Sequence, residues 1–595
     1  MLSDFALERA RQTPDDIAFR HRLDGHWVGI TWREFVARAL VLAKGLAGAG
    51  LTRGGRLAIM APTSLEWELF QLAALLNGAA VAGFDPHDQP ERVRAMLAVA
   101  DIDTLVLAHP GLLERLGPSR PACLRRIVCL TEASPPASCT SSGDPVDWHT
   151  PASLVVTGAG ISAPPAPRTE DPATLIFTSG STGEPKGIAY THAQVVLAVE
   201  NILDAFPEIG RGDRLVCWLP LSNLFQRMLN YCAAGRGAEC WLVAEPQTII
   251  ERLPEIRPHV FIAVPRFFEK VEAGMRDRME ALPGWSRAIA AWALAAGDVR
   301  ARGLRNGKPV GVIARLSATL ADRLVLRRLR AVLGGQVRYL VSGSAAFPVW
   351  LLERFHAMGL PVLEAYGLSE NVVPVALNRP GAWRFGTVGR ALPANELRIA
   401  EDGEVLVRGE GVCHGYLDGT PAALDAQGFL STGDLGTLDA EGFLTLTGRK
   451  SEIFKTSTGR KVAPLPVEAA LRRLPGVDHA VVLGADRKMP VAIVTLTAGR
   501  IADDFSVVAQ ALADRMPETL GELAAWTRPA GLLVLRQPFG IESGELTSNL
   551  KLRRGEIMHR HGAALEALFA QIEKNEPFLV QLDDARCLVS CGSAA

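Results

Sequence analysis

The stretch ATLIFTSGSTGEPKG, residues Ala173–Gly187, joins a short apolar run to a loop of small residues. The run Thr174–Phe177 has the composition of a buried strand. The loop combines four hydroxyl side chains, three glycines and Lys186, and apolar residues recur at helical spacing from Val195 onward. A strand, a small-residue loop and a helix, in this order, present backbone N–H groups to phosphate oxygens. The stretch therefore predicts a phosphate-binding loop at the end of a buried strand.

The residues that we expect to contact the phosphates lie in and beside this loop. They are Thr178, Ser179, Gly180, Ser181, Thr182, Gly183 and Lys186. The loop is not a Walker A sequence, because that motif requires glycine before its lysine and here Pro185 occupies the position.

Around this loop, short apolar runs alternate with longer periodic segments. The runs are Arg56–Met60, Thr104–Ala108, Arg126–Leu130 and Val260–Val264. They are typical of strands buried on both faces and joined by helices, so the fold class is α/β. After about Gly386, frequent glycines and the turns Asp402-Gly403 and Glu441-Gly442 predict a small β-barrel-like unit. A smaller, mobile α+β C-terminal domain is expected from about residue 448, after a large N-terminal domain of two layered α/β subdomains.

Composition excludes several classes of protein. The 595 residues are 48% hydrophobic and 21% charged, with a net charge of −1, which argues against nucleic-acid binding. The first 20 residues carry four acidic side chains and no apolar core, so we expect no signal peptide. Nine scattered cysteines indicate a reducing compartment. We expect a cytoplasmic protein.

One segment departs from this balance. Residues 281–330 hold ten Lys or Arg and two Asp or Glu. Solvated helices of a scaffold and peripheral contact with anionic membrane lipid both explain this bias, and Trp285 and Trp292 fit either. The protein is therefore cytoplasmic or membrane-associated.

Five further motifs follow the loop in the chain. They are VSGSAAF (Val341–Phe347), EAYGLSE (Glu364–Glu370), STGD (Ser431–Asp434), GRKSEIFK (Gly448–Lys455) and GELTSNLKLRR (Gly544–Arg554). An aromatic face stacks on a base, a carboxylate suits Mg²⁺ beside a triphosphate, and a carboxylate also accepts from two vicinal hydroxyls. A lysine placed beside the reacting oxygens stabilises the charge that develops on them in the transition state.

Together these motifs resemble those of the adenylate-forming (AMP-binding) enzymes, and the chain looks most like the bacterial long-chain fatty acyl-CoA synthetases. The resemblance runs from about Trp32 to Arg554. It implies ATP and Mg²⁺, a carboxylic acid substrate, and CoA as the acceptor.

The resemblance also assigns roles to residues. It places Gly343, Ser344, Ala345, Tyr366 and Gly367 around adenine and the acyl group, Glu370 and Thr182 at Mg²⁺, Asp434 at the ribose and Arg449 on the ribose and phosphate side. Lys551 would act in adenylation and Lys455 in thioester formation, with Gly459 beside the pantetheine arm and Ser451 at the hinge. The catalytic residues would be Lys551, Lys455, Glu370 and Thr182.

Two positions depart from the family pattern. Long-chain members commonly have His where this chain has Asn223, in the segment Trp218–Arg227 that would supply Asn223 and Arg227 to the acyl wall. Asn cannot titrate or stack as His does, which leaves the acid open. The hinge residue is Ser451 rather than Asp or Lys, and a hinge needs tolerant backbone angles rather than charge.

We expect four segments: an adenylation domain (1–447), a hinge (448–452), a mobile C-terminal domain (453–575) and a tail of unknown role (576–595). The expected function is ATP-dependent activation of a fatty acid through an acyl-adenylate, followed by transfer to CoA. Three alternatives remain at this point: transfer to a carrier protein, activation of a small or aromatic acid, and a catalytically silent nucleotide- or lipid-binding homologue. The oligomeric state stays open.

Overall fold

The computed structural model describes most of the chain. The described residues are 1–117, 121–136, 146–162, 166–179, 185–305, 311–497, 505–540, 542–546, 552–574, 576–583 and 585–591. Within them, the α-helices have the following bounds: α1 Asp4–Gln12, α2 Trp32–Gly48, α3 Leu65–Leu76, α4 Pro90–Val99, α5 Gly111–Leu116, α6 Pro151–Thr157, α7 His192–Ala205, α8 Leu224–Arg236, α9 Ile249–Ile256, α10 Pro265–Glu280, α11 Gly284–Arg305, α12 Val312–Ala321, α13 Arg327–Arg330, α14 Val349–Ala357, α15 Pro464–Leu471, α16 Phe505–Thr519 and α17 Arg554–Glu573. A π-helical turn, Asp322–Leu326, joins α12 to α13.

The strands of the described residues are β1 Ile17–Leu23, β2 His26–Thr31, β3 Arg56–Met60, β4 Ala80–Phe84, β5 Thr104–Leu107, β6 Arg126–Cys129, β7 Asp147–His149, β8 Pro172–Ser179, β9 Pro185–Thr191, β10 Arg214–Cys217, β11 Glu239–Leu242, β12 Val260–Ala263, β13 Tyr339–Ser342, β14 Val362–Leu368, β15 Asn371–Leu377, β16 Arg390–Ala391, β17 Asn395–Ile399, β18 Glu404–Gly409, β19 Leu430–Leu438, β20 Leu444–Arg449, β21 Phe454–Lys455, β22 Lys461–Val462, β23 Val477–Leu483, β24 Val491–Leu496, β25 Gly531–Leu535, β26 Leu579–Asp583 and β27 Arg586–Ser590.

A seven-stranded sheet in the order β7-β6-β5-β3-β4-β8-β9 forms the first α/β layer. Its strands pair in parallel except for β8 and β9, which are antiparallel. Strands β5 and β6 are buried along their whole length, because helices such as α4 pack on the sheet through residues that include Val93 and Leu97. The predicted buried strands of this region are confirmed.

A nine-stranded sheet forms the second layer, in the order β16-β15-β14-β13-β12-β10-β11-β1-β2. Strands β12, β13 and β14 are parallel neighbours, so their carboxyl ends share one edge of the sheet. Strand β15 returns antiparallel to β14 after the two-residue turn Ser369-Glu370. The motifs VSGSAAF and EAYGLSE therefore emerge side by side.

The small β unit expected after Gly386 is present as a four-stranded sheet, β17-β18-β19-β20. Its turns Asp402-Gly403 and Glu441-Gly442 have glycine at φ of +87° and +82°, as an Asp-Gly or Glu-Gly turn requires. This confirms the α/β class with an appended β region.

The chain divides into two compact units. One comprises Met1–Leu397, Val407–Ser431 and Ala440–Leu444, and the other comprises Arg398–Leu406, Thr432–Asp439 and Thr445–Ala595. The proposed hinge at 448–452 and the domain limits at 447 and 453 stay predictions.

The second unit contains a five-stranded sheet in the order β23-β24-β25-β27-β26. Its last two strands come from the segment that we separated as a tail, and Cys587 and Val589 of β27 are fully buried in the core of this unit. The three consecutive apolar residues of RCLVS, Cys587–Val589, were the signal for a strand that is buried on both faces. Strands β26 and β27 therefore belong to the same sheet as β23, β24 and β25.

The structure corrects one local prediction. The loop after β8 leads into a second strand, β9, and only then into α7, so the predicted strand–loop–helix is a β-hairpin followed by a helix. The β-branched and aromatic pattern of Lys186–Thr191 lets this segment pair along the edge of the sheet. No helix in the described part of the chain is long and apolar enough to span a bilayer.

Candidate active site

The predicted phosphate loop comes in sequence between β8 and β9, which pair as an antiparallel hairpin. Thr178 pairs with Lys186 across the hairpin, and Ser179 pairs with Pro185. Gly180, Ser181, Thr182 and Gly183 lie outside the described residues, as does the side chain of Ser179. The structure therefore places Thr178 and Lys186 opposite each other where the two strands enter the loop.

Lys186 lies over the ring of Tyr416, with Nζ 4.9 Å from the ring centroid. The Tyr416 hydroxyl donates a hydrogen bond of 3.1 Å to Oε1 of Glu370. The backbone N–H of Leu417 donates to the carbonyl of Gly187 at 2.8 Å, and that of Cys413 donates to the carbonyl of Glu370 at 2.9 Å. The segment 413–417 thus connects the phosphate-loop hairpin to the predicted metal carboxylate.

Tyr416 is a residue that the sequence analysis missed. Burial and the neighbouring Glu370 carboxylate raise the pKa of Tyr416 above its ordinary value. The phenol therefore stays protonated at neutral pH and remains a hydrogen-bond donor to Glu370. The rarity of tyrosine was the sequence signal that could have pointed to this residue. The chain has five tyrosines, and three of them lie at this site: Tyr190, Tyr366 and Tyr416.

Glu370 lies at the tip of the tight turn between β14 and β15, and a second tyrosine orients this turn. The fully buried Tyr190 hydroxyl donates a 2.6 Å hydrogen bond to the carbonyl of Ser369, which precedes Glu370. Burial raises the pKa of Tyr190 above its ordinary value, so it too remains a donor. Tyr416 thus holds the Glu370 carboxylate directly, and Tyr190 holds the turn that carries it.

The predicted adenine and acyl walls meet at the carboxyl ends of β13 and β14. Ser344 follows β13 and has a left-handed φ of +72°, which is rare for a residue other than glycine and is typical of functional sites. A Cβ on Gly343 would lie 3.4 Å from both the Ala365 carbonyl and Cζ of Phe225. Ser344 and Ala345 are exposed, so this wall presents small residues to solvent.

Tyr366 and Glu364 lie on β14 beside this wall. Tyr366 is 7% exposed, and Gly367 follows it at the end of the strand. Burial raises the pKa of Glu364 to about 8, and its carboxyl accepts a hydrogen bond from the backbone of Phe347. The strand therefore carries a carboxyl that is mostly protonated, hence neutral, at pH 7 next to the predicted adenine-stacking ring.

In the second compact unit, Asp434 and Arg449 form an ion pair. Arg449 Nε lies 2.9 Å from Asp434 Oδ1, with the carboxylate 7% exposed and the guanidinium 59% exposed. The backbone N–H of Asp434 donates a hydrogen bond of 3.1 Å to Thr432 Oγ1, which holds the backbone at Asp434 in place. The two residues that the family resemblance places at the ribose and phosphate are therefore direct neighbours.

The predicted hinge, residues 448–452, contains an anchored lysine. Lys450 Nζ lies 2.6 Å from Asp402 and 2.9 Å from Glu404, and these carboxylates raise its pKa above the ordinary value. Ser451, directly after it, is exposed and lies in a turn. The chain is thus held on one side of Ser451 by a pair of acidic side chains.

Lys455 and Gly459 lie on the short hairpin β21–β22. Lys455 is exposed and pairs across the hairpin with Lys461. Gly459 has φ of +80°, and an added Cβ would meet no atom within 4 Å, so backbone conformation rather than space requires glycine there. The structure leaves room beside Gly459 for a ligand.

Lys551 lies outside the described residues, as do residues 547–550. The residues that flank this segment, Leu546 and Leu552, form an antiparallel bridge. Arg554 follows closely, and both of its terminal nitrogens lie 2.6 Å from the buried Glu468 carboxylate. This bidentate pair fixes the start of α17 three residues after Lys551.

Comparison with known proteins assigns the family. The model of the AMP-binding enzyme family matches residues 7–417, and that of the AMP-binding enzyme C-terminal domain matches residues 452–523. The chain belongs to the AMP-binding enzyme family. The resemblance that the motifs indicated is confirmed.

Several curated relatives and solved structures are similar to this AMP-binding enzyme. The long-chain-fatty-acid–CoA ligase FadD15 of Mycobacterium bovis is 33% identical over 95% of this chain and 96% of its own. Long-chain-fatty-acid–CoA ligase 6 of Mus musculus is 26% identical over 91% of this chain and 82% of its own.

Among solved structures, the adenylation domain of a carboxylate reductase from Mycobacterium chelonae superimposes with a TM-score of 0.76 at 20% identity, covering 96% of this chain and 91% of that one. The anthranilate CoA ligase AuaEII in complex with anthranoyl-AMP gives 0.72 at 20% identity, covering 95% and 98%. These likenesses show that the AMP-binding enzyme has the fold of the adenylate-forming structures.

The residues present fit a magnesium ion in this AMP-binding enzyme. Tyr416 holds Oε1 of Glu370, which orients the carboxylate as a hard oxygen ligand beside the phosphate-loop hairpin. Mg²⁺ commonly takes only one or two protein carboxylates and completes its shell with phosphates and water. The second predicted ligand, Thr182, lies outside the described residues. In the part of the chain that is described, no group of three His, Cys, Asp or Glu forms a metal cluster.

The two residues assigned to the acyl wall have different surroundings. Asn223 caps α8, and its side chain accepts a hydrogen bond of 3.0 Å from the backbone of Phe225. Arg227, one turn later, has no exposed surface, and its Nε donates to Gln71 at 2.9 Å. Arg227 is therefore enclosed by other side chains in this conformation, and its contact with the acid stays a prediction.

Proposed function

We propose that this AMP-binding enzyme activates a long-chain fatty acid as its acyl-adenylate and transfers the acyl group to CoA. The observation that carries this proposal is the cluster of Lys186, Tyr416 and Glu370, which joins a phosphate-loop lysine to an oriented carboxylate. The names of the relatives that align over 95% of the chain support the fatty acid and the CoA acceptor.

The first half-reaction would form the adenylate. A carboxylate oxygen of the acid attacks the α-phosphorus of ATP, and the bond from that phosphorus to the bridging oxygen breaks, which releases pyrophosphate. The hairpin loop from Thr178 to Lys186 would hold the phosphates, with Thr182 in it, and Lys551 would neutralise charge on the reacting oxygens. Bound at Glu370 and Thr182, Mg²⁺ would supply positive charge to the triphosphate.

The second half-reaction would form the thioester. The CoA sulfur attacks the acyl carbon, its proton passes to solvent, and the bond to the AMP oxygen breaks. We place Lys455 and Gly459 at this step, after a rotation about Ser451 that removes Lys551 from the site. Both steps would then depend on positioning and electrostatics, without a covalent enzyme intermediate.

A carrier protein as the acceptor and an aromatic acid as the substrate are both less well supported. Structures with a carrier-protein domain, such as that of the carboxylic acid reductase from Segniliparus rugosus, are 21% identical and carry only the fold. An aromatic acid would be compatible with Asn223 in place of His. The catalytically silent alternative conflicts with the presence of Lys186, Glu370 and Lys551 in one chain.

A panel of acids tests the proposal. Acid-dependent exchange of pyrophosphate into ATP is measured for short, long and aromatic acids, and products formed with CoA or a holo-carrier protein are weighed by mass spectrometry. Fatty acyl-CoA is the expected product. Exchange with aromatic acids alone, or acylation of the carrier alone, would reject the assignment, and ATP binding without exchange on any acid would support the silent homologue. The variant Asn223→His shows whether this position selects the acid.

A further inference from the structure

Helix α11 presents a row of apolar side chains to solvent. Four of them recur at helical spacing on one face of the helix. They are Trp285 (71% exposed), Ile289 (41%), Trp292 (38%) and Val299 (48%).

Helix α12, which packs against α11, carries a second exposed apolar row that continues into the π-helical turn. Its members are Val312 (73% exposed), Ile313 (85%), Leu316 (66%), Leu320 (51%) and Leu324 (49%). Monomeric proteins rarely expose large apolar surface unless it binds something, and these two neighbouring helices expose nine large apolar side chains. We call the two rows together the α11–α12 surface.

The opposite faces of both helices explain why these rows point outward. Gly297 of α11 faces α14, and an added Cβ there would lie 2.1 Å from the carbonyl of Ala357. Small buried residues, Ala293 on α11 and Ala318 and Ala321 on α12, occupy the inward side. The two helices pack onto the protein through these small residues. The large apolar side chains of the two exposed rows are therefore not part of the buried core.

The charge around the surface is strongly positive. Exposed arginines surround the apolar rows, and these are Arg300, Arg315, Arg323, Arg327 and Arg328. The two acidic residues of the segment are already engaged, Asp298 with Arg302 and Asp322 with Arg330. Since the whole chain has a net charge of −1, this positive charge is a local feature.

We propose that the α11–α12 surface docks onto an anionic phospholipid bilayer. An apolar face with tryptophans, flanked by arginines, has the composition of helices that lie in a membrane interface. The arginine stems can lie along the acyl boundary while their guanidinium groups contact phosphates. The surface is formed by two helices rather than one groove, which suits a flat and extended partner.

Vesicle flotation tests the proposal with the full-length protein. We expect binding to vesicles of phosphatidylcholine with phosphatidylglycerol, little binding to phosphatidylcholine alone, and weaker binding at high salt. The charge variant Arg315→Gln/Arg323→Gln should bind at least tenfold more weakly, because each arginine near an anionic surface contributes roughly fivefold. The apolar variant Ile313→Ser/Leu316→Ser/Leu320→Ser should lose binding by a similar or larger factor.

Matched controls carry the same chemistry elsewhere. Val156→Ser removes a side chain that is 75% exposed on α6, and Arg11→Gln removes an exposed arginine on α1. Both controls should bind as the unmodified protein does, and all variants should keep its thermal midpoint, since every altered side chain is exposed.

Three results would overturn the proposal. In the first, the unmodified protein does not float with anionic vesicles, and in the second, both surface variants bind as well as the controls. In the third, the protein self-associates without vesicles and the apolar variant becomes monomeric while vesicle binding is unchanged, which would assign the surface to a second copy of the chain. None of these readouts depends on catalysis.

Discussion

Tyr416 donates its hydroxyl to Oε1 of Glu370 at 3.1 Å while its ring faces Lys186, so one side chain contacts both a predicted phosphate-binding residue and a predicted metal ligand. A hydrogen bond to a charged group contributes about 1.5–3 kcal/mol. The arrangement gives Tyr416 a positioning role for the Glu370 carboxylate.

We expect Tyr416→Phe to reduce acid-dependent ATP–pyrophosphate exchange by about tenfold and to raise the Mg²⁺ concentration needed for half-maximal rate. The ring remains, so contact with Lys186 is kept and only the orientation of Glu370 is lost. Exchange is measured as a function of Mg²⁺ concentration.

The control is Tyr339→Phe, which removes a tyrosine–glutamate hydrogen bond to Glu208 at the start of β13. It should leave the Mg²⁺ dependence unchanged. An identical Mg²⁺ profile for Tyr416→Phe and the control would remove the positioning role from Tyr416.

Lys551 and Lys455 should separate the two half-reactions. We expect Lys551→Ala to lower ATP–pyrophosphate exchange by on the order of 10²-fold or more, because a charge contact of the transition state is lost. It should largely spare thioester formation from supplied acyl-adenylate. Lys455→Ala should show the reverse pattern.

Lys574→Ala provides the control for Lys551, since it removes an exposed lysine just after α17. Both half-reactions are followed with the same enzyme preparations. Equal losses in the two assays for Lys551→Ala would reject the division of labour between the lysines.

We expect the Asp434 carboxylate to bind the ribose hydroxyls of ATP. The variant Asp434→Asn keeps the size of the side chain but removes the charge that pairs with Arg449. We expect a KM for ATP raised about tenfold and a weaker discrimination between ATP and 2′-deoxy-ATP, because a carboxylate accepts both vicinal hydroxyls.

The decisive measurement is the ratio of kcat/KM for the two nucleotides. Arg449→Gln, which alters the same ion pair from its exposed side, should raise the KM for ATP while keeping the ratio. A ratio unchanged in Asp434→Asn would contradict a ribose contact.

Local patterns were sufficient to predict the α/β layers. Strands such as Arg126–Cys129 are continuous apolar runs because parallel strands are buried on both faces. The β9 strand was missed because Lys186–Thr191 alternates only weakly and follows a loop whose glycines suggested a direct helix start. Pairing with β8, a tertiary interaction, decides that segment.

The site was predictable only where a motif carries it. Glu370, Asp434 and Arg449 were predicted because each lies in a motif. In the structure, Asp434 and Arg449 form an ion pair. The contribution of Tyr416 depends on residues 46 and 230 positions away in the chain, which no local pattern encodes. The helix cap by Asn223 likewise follows from where α8 begins.

A buried carboxyl on α3 should make stability depend on pH. Glu68 is buried and accepts hydrogen bonds from Asn230 at 2.7 Å and from Gln71 at 2.9 Å. Burial raises the pKa of Glu68 from 4.5 to about 7, although Asn230, Arg227 and Gln71 act in the opposite direction.

Because the folded pKa lies above the unfolded one, the folded protein binds more protons between these values. The contribution of Glu68 to stability is fully present below the unfolded pKa and is lost as the pH rises through about 7. The shift corresponds to about 3 kcal/mol between pH 4 and pH 8.

We expect Glu68→Gln to remove this loss, since an amide does not ionise. The difference in urea midpoint between Glu68→Gln and the unmodified protein should therefore increase in favour of the variant from pH 5 to pH 8. The altered hydrogen bond to Gln71 shifts this difference by the same amount at every pH and does not change its trend. Glu66→Gln, at an exposed position of the same helix, should show the pH dependence of the unmodified protein. Parallel pH profiles for Glu68→Gln and the unmodified protein would mean that Glu68 is ionised in the folded state across this range and that Arg227 outweighs its burial.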